Sequence, residues 1–240
     1  MRAVFVATAV VLLTIVHGLS VIVLGLLGAR ARPHAYRVAR AWARAIVRLS
    51  GIALTVEGGE NVASGTCYMV VANHRSLLDI PVLMAGMPMP LRFATKKALF
   101  AIPIFGQGIR ALGMVPIDRH NSTRAMSSIR EAVRHRIAGA SFLFFPEGTR
   151  SRTDQLLPFK RGAAVTAIEA DLDVLPVAIL GTEHVLPADT MRLRPGPVRL
   201  RIGYPIGADS VAFAGREELT LETRRAIQEL LMPALVGADS

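Results

Sequence analysis

From Ala3 to Ala29 no position is charged, and most are Ala, Val, Leu or Ile, with His17 and Gly18 in the middle. A helix that buries one face on a core carries polar residues on the other; this run is apolar almost all round. As a helix its 27 residues reach about 40 Å, more than a ~30 Å hydrocarbon layer. The pattern predicts a membrane-embedded helix, with His17-Gly18 the place where a shallow hairpin would turn. A cleaved signal is the rival, but its apolar region spans only about 7–15 residues. After Pro33, Val38, Trp42, Ile46 and Leu49 recur at helical spacing while Arg37, Arg40, Arg44 and Arg48 line another face. This predicts an amphipathic helix over 34–49. It suits the headgroup layer of an anionic membrane or a seat on the folded domain, and one helix can serve both.

Beyond Gly51 short apolar runs alternate with helical periodicity. Ile52–Val56, Cys67–Ala72, Leu91–Thr95, Met114–Ile117, Phe142–Phe145, Leu175–Leu180 and Val198–Ile202 read as strands. Leu77–Met84, Ser122–Ile137, Gly162–Ala170 and Arg216–Leu231 read as helices, with Ser122 or Asn121 as N-cap of the second. The alternation predicts an α/β fold: a central mixed sheet flanked by helices, preceded by an N-terminal membrane-associated helical segment. Residues 1–50 divide off as anchor and basic amphipathic helix, and 51–240 as one catalytic domain.

Composition narrows the partners. The chain has 240 residues, 28 basic and 18 acidic, for a net charge of +10. Its mean hydropathy of +0.42 excludes intrinsic disorder. The single cysteine, Cys67, excludes an internal disulfide framework and a Cys-cluster metal site. An apolar, basic chain fits an anionic membrane surface or nucleic acid. Only 5% of its residues are aromatic, and no basic run interleaves with them, which speaks against nucleic acid. Six arginines (30, 32, 37, 40, 44 and 48) follow the apolar run, against Arg2 before it. The positive-inside rule then places the folded part in the cytoplasm, at the inner membrane.

The chemistry concentrates where strands end. Asn73-His74-Arg75-Ser76-Leu77-Leu78-Asp79 follows the buried run Cys67–Ala72. Five helical steps leave two side chains about 140° apart, so His74 and Asp79 do not meet if both are helical. With His74 in the strand-to-helix turn, Asp79 reaches back to it. A carboxylate holding Nδ1–H leaves Nε2 as a base. No Gly-x-Ser-x-Gly elbow is present, Cys67 lies inside a buried strand, and the histidines show no metal-ligand spacing. A His–Asp pair without a protein nucleophile fits direct activation of a substrate hydroxyl. A second apolar strand runs into Phe145-Pro146-Glu147-Gly148-Thr149-Arg150, where Arg150 can grip a phosphate and Glu147 can hold that guanidinium or a hydroxyl. A third ends in Asp118-Arg119. Lys96, Lys97 and Lys160 all lie near these motifs, and together the strand ends predict an anion pocket.

These blocks carry a family resemblance over about residues 36–205. Asn-His-x4-Asp at 73–79, Gly113-x-x-x-Ile117-Asp118-Arg119, Phe145-Pro146-Glu147-Gly148-Thr149-Arg150 and Leu175-Pro176-Val177-Ala178-Ile179 occur in the order of the glycerolipid acyltransferases. With the Lys96–Gly106 run, the chain resembles their 1-acyl-sn-glycerol-3-phosphate acyltransferase (PlsC-like) branch. The resemblance implies His74 as general base and Asp79 as its orienter. It implies Arg119, Glu147 and Arg150 as ligands of a glycerol-phosphate acceptor, with Gly148 and Thr149 shaping the turn. Pro116 and Gln107 depart from the family's pattern at positions that bear on the acceptor or acyl pocket.

The activity so implied is transfer of an acyl chain from acyl-CoA or acyl carrier protein to the sn-2 hydroxyl of lysophosphatidic acid, with no cofactor beyond that co-substrate. Another lysophospholipid or a lyso-aminolipid as acceptor is one alternative. A non-catalytic protein that holds anionic lipid of the bilayer is the other.

Overall fold

A computed structural model of the chain describes residues 2–117, 122–134, 140–153, 155–190, 192–208 and 215–232. The apolar run is one helix, α1 (Arg2–Leu26), with no turn at His17-Gly18: His17 Nδ1 donates to the Leu13 carbonyl at 2.9 Å and stays in register. Its segment Val4–Leu26 is long and apolar enough to cross a membrane. A single 3-10 turn leads into α2 (Arg32–Leu49), which starts with Pro33 in its first turn, where a missing N–H costs nothing.

The amphipathic helix is present, but its buried stripe is not the expected one. Ala35, Tyr36, Ala39, Ala43, Ile46 and Val47 face the core, while Val38, Trp42 and Leu49 are only half-buried. Three alanines let the helix backbone approach the domain closely, and Trp42 at the edge donates its indole N–H to Thr14 Oγ1 of α1 at 3.0 Å. Arg40 also leaves the polar face. Its guanidinium donates to the carbonyls of Met87 and Met89, at and just beyond a helix C-terminus.

Among the described residues seven strands form one sheet: β1 (Ile52–Glu57), β2 (Met69–Ala72), β3 (Leu91–Lys96), β4 (Val115–Ile117), β5 (Ser141–Phe144), β6 (Val174–Leu180) and β7 (Gly196–Ile202). Their order is β1-β7-β6-β2-β5-β3-β4, with every pair parallel except β6–β7. β2 and β6, at the centre, are buried on both faces, as their continuous apolar runs require. Along β2 the side chains alternate between two cores. Val70 and Ala72 face a layer of α1, α2, α3 (Asp79–Gly86) and α4 (Phe105–Ala111). Met69 and Val71 face α5 (Ser122–Arg134), α6 (Gly162–Ala170) and α8 (Gly215–Leu231). The short α7 (Thr182–Val185) follows β6.

All seven strands stand where the apolar runs put them, to within two residues. Two helices escape sequence reading. α4 carries Gly106 and Gly108, which depress helix propensity, and it forms because it lies on α1: a Cβ on Gly25 would stand 2.9 Å from Ala111 Cβ. α7 is too short for periodicity. Asn121 and residues 135–137 of the expected helix over Ser122–Ile137 lie outside the described residues.

Candidate active site

β2 lies between β5 and β6, all three parallel, so their carboxyl ends deliver three segments to one edge of the sheet. β2 ends at Ala72, but its ladder continues through a side chain. Asn73 Nδ2 donates to the Ile179 carbonyl at 2.9 Å, and the Ile179 N–H donates to Asn73 Oδ1 at 2.8 Å. The amide stands in for a strand residue, satisfies β6, and frees the main chain to turn away.

His74 sits in that turn and Asp79 opens α3, the arrangement their spacing required. His74 Nδ1 donates to Asp79 Oδ2 at 2.8 Å. The N–H groups of Arg75 and Ser76 donate to the same oxygen at 2.7 and 2.8 Å. Thr182 Oγ1 donates to Oδ1 at 2.5 Å. Asp79 is fully buried, and these donors replace its water. The imidazole stacks on Phe145, with ring centroids 4.2 Å apart. Its Nδ1 is thus committed to the carboxylate, and Nε2 is the nitrogen left for chemistry.

β5 supplies the second segment. Glu147, read from the sequence as a ligand for the acceptor or for Arg150, is 4% exposed and holds backbone instead. The His74 N–H donates to its Oε1 at 2.8 Å and the Leu157 N–H to its Oε2 at 2.9 Å. Burial pushes its carboxyl above the usual range; the two N–H bonds and the nearby His74 and Arg75 oppose that rise. Glu147 therefore braces the His74 turn against the loop after β5, and the Ser151 N–H completes the brace by donating to the His74 carbonyl at 2.8 Å. Gly148 takes a φ of 72°, and the Lys160 stem lies over it so closely that a Cβ would stand 2.9 Å from Nζ. Arg150 is half-exposed, its Nη2 4.0 Å from Asp189 Oδ1, and Arg152 Nε lies 2.8 Å from Asp189 Oδ2. Thr149 is exposed at the loop tip.

The remaining sequence-derived residues divide. Lys160 joins the Glu147–Arg150 loop. Lys96 and Lys97 are exposed at the carboxyl end of β3, the strand beside β5. Arg119 lies outside the described residues, as does Asp118. Sequence reasoning missed Thr182 and the Arg75–Glu183 ion pair, whose Nη1 and Oε1 are 3.0 Å apart. The cue in the sequence was Gly181-Thr182 at the end of a fully apolar strand.

Behind the turn, between α1, α2, α3 and α4, runs an apolar cavity of about 220 Å³. Gly18, Trp42, Met84, Phe105 and Gly108 line it, and Leu77, from the His74–Asp79 turn itself, forms one wall.

The profile of the Acyltransferase family matches residues 53–180, more than half of the chain and all three strand ends just described. The chain belongs to the acyltransferase family. Among relatives, it is 35% identical over 167 residues to a 1-acyl-sn-glycerol-3-phosphate acyltransferase of Cocos nucifera, an alignment covering 69% of this chain and 54% of that one. To the enzyme of that name from Escherichia coli K12 it is 34% identical over 160 residues, 66% of this chain and 64% of the relative. The chain thus spans about half the length of the first curated relatives it matches. The crystal structure of the 1-acyl-sn-glycerophosphate acyltransferase PlsC from Thermotoga maritima is similar over 98% of this chain and 97% of that one, with a TM-score of 0.84 at 26% identity. Within the family fold, Pro116 and Gln107, the two departures from its pattern, are both exposed, and the cavity is lined without them.

Proposed function

We propose that the protein transfers an acyl chain from an acyl thioester, acyl-CoA or acyl carrier protein, to the sn-2 hydroxyl of lysophosphatidic acid. The observation that carries this is the His74–Asp79 pair: Nδ1 is committed to a buried carboxylate, Nε2 is left over, and an apolar cavity begins in the same turn. Nε2 removes the acceptor's hydroxyl proton as its oxygen attacks the thioester carbonyl. Asp79 stabilises the imidazolium that forms. The tetrahedral intermediate collapses, the C–S bond breaks, and the imidazolium returns its proton to the departing thiolate. The products are phosphatidic acid and a free thiol; no acyl-enzyme and no cofactor takes part. Arg150, together with Lys160, Lys96, Lys97 and Arg119, supplies positive charge for the acceptor's phosphate. The names of the relatives support this choice of acceptor.

The protein works at the cytoplasmic face of the inner membrane, and its anchor lies in one leaflet. α1 touches the folded part along nearly its whole length. Val6 and Val21 are buried, Thr14 bonds Trp42, and Gly25 meets Ala111. α2 runs beside it with Arg37, Arg44 and Arg48 exposed. If α1 crossed the bilayer, those arginines would enter hydrocarbon, at roughly 2.5–3.5 kcal/mol or more each. A hairpin that dips the outer face of α1, including Phe5, Leu12, Val16 and Leu19, among the acyl chains avoids that cost. It also sets the cavity beside the lipid layer in which the acceptor's acyl chain lies.

The test is an assay of purified protein with lysophosphatidic acid, another lysophospholipid and a lyso-aminolipid, each with CoA and carrier-protein thioesters. Phosphatidic acid formed well ahead of the other products is the expected result. Equal turnover of all acceptors would remove the phosphate-clamp reading, and no thioester turnover would remove the enzyme.

A further inference from the structure

Asp79 receives its donors unevenly. Oδ2 takes three, the His74 ring and the N–H groups of Arg75 and Ser76, all from the turn that Asp79 itself closes. For Oδ1 the single donor among the described residues is Thr182 Oγ1, 2.5 Å away and 103 residues distant in sequence. Both residues are fully buried, so no water replaces that hydroxyl. Without it the carboxylate keeps three bonds on one oxygen and leaves the second oxygen uncompensated, so its rotation about Cβ–Cγ is fixed from one side only.

Thr182 is itself held firmly. Gly181 precedes it with a φ of 96°, where any side chain would strike the Pro197 carbonyl, 2.5 Å from an ideal Cβ. Glu183 follows, with Oε1 on Arg75 Nη1 at 3.0 Å and Oε2 accepting the Gly181 N–H at 3.1 Å. At the far end of α7 the Leu186 carbonyl accepts from Ser76 Oγ at 2.8 Å. Three consecutive residues of the His74 turn thus engage α7 and its flanks by side chains or, through Asp79, by a shared carboxylate.

We infer that Thr182 is a positioning residue of the acyl-transfer reaction: its hydroxyl orients the Asp79 carboxylate so that Oδ2 lies in line with His74 Nδ1. The inference rests on His74 acting as base. The charged groups around the pair are Glu147, which accepts the His74 N–H from the β5 side, and Arg75 and Glu183 on the α7 side. Thr182 is the neutral donor among them. Removing it leaves the Asp79 charge to the remaining donors, His74 Nδ1 among them, and so changes the contact that holds the imidazole.

The experiment compares Thr182→Val, Thr182→Ala and Thr182→Ser with wild type and His74→Ala, as full-length protein in lipid vesicles. It measures kcat, KM for lysophosphatidic acid and the acid limb of kcat/KM. Thr182→Val should lower kcat about ten- to a hundred-fold, the range for loss of one bond to a charged group, with KM little changed. Its acid limb should move away from that of the wild type, and Thr182→Ser should stay within about threefold of wild type. Alanine, which places no methyl against Asp79, is read against serine should the valine variant not fold. Wild-type kcat without the hydroxyl, equal damage from serine and alanine, or an unmoved acid limb overturns the inference. An active His74→Ala would instead overturn the reading of His74 on which it rests.

Discussion

At the scale of single residues, the site is held by buried polar groups whose partners are backbone. Asn73 replaces a strand residue, Asp79 takes two N–H groups of its own turn, and Glu147 ties that turn to the loop after β5. Glu147 carries a measurable consequence. Burial raises its carboxyl above the ordinary 4.5, so the folded state binds its proton more tightly than the unfolded state does. Its charge is a stability penalty present in full above the folded value and relieved as pH falls through that value towards 4.5. Glu147→Gln lacks this relief and leaves one backbone N–H poorly accepted, at about 1–3 kcal/mol. Urea unfolding from pH 7 down to about pH 5 should show the wild type's advantage over Glu147→Gln growing on acidification. An advantage that stays flat or shrinks contradicts the assignment. His74 and Asp79 were legible in sequence because a buried strand ends beside them and the spacing between them is local. Thr182 was not, since nothing near residue 182 marks it as the partner of residue 79. Glu147 was legible as a residue of the site but not in its task, because its partners are N–H groups that every sequence has.

At the scale of elements, strands were easier to read than helices. The strands that carry the site are buried on both faces and show as short apolar runs bounded by polar turns. α2 was found with its stripe only partly placed: Ile46 is buried and Val38 and Trp42 pack at the edge of the core, while the buried alanines carry a weaker signal in sequence. α4 depends on a partner, the notch at Gly18 in α1. Ile104, just before α4, has a φ of 65° and sits so near this notch that a Cβ on Gly18 would come within 2.8 Å of its Cγ2. That conformation is costly for a β-branched residue and persists here under α1. Gly18→Leu should therefore lift α1 from α4 and destabilise the fold by about 1–3 kcal/mol, the usual cost of overfilling a packed contact. It should also shorten the preferred acyl chain, since Gly18 lines the cavity. A panel of thioesters of increasing chain length checks this; an unchanged length profile would remove the cavity from acyl binding.

At the scale of the whole molecule, charge and hydropathy have become a distribution. The apolar excess is largely the outer face of α1, and many of the arginines stand on α2 beside it or at strand ends. Under the proposed one-leaflet anchor, both chain termini lie on one side of the membrane. Protease tags fused at the amino and carboxyl ends should both be cleaved in inside-out vesicles and both protected in right-side-out ones. An amino-terminal tag cleaved from the opposite side would give α1 the spanning role that its length allows. In the proposed reaction the proton of the acceptor's hydroxyl passes through His74. The most direct measurement is thiol release and phosphatidic acid formation by purified, folded His74→Ala beside wild type, with lysophosphatidic acid and an acyl thioester in vesicles. The wild type should turn over, and the variant, with its unfolding midpoint intact, should fall by at least about a thousandfold. Retention of more than a few per cent of wild-type activity by the folded variant would contradict the assignment of His74 as the base.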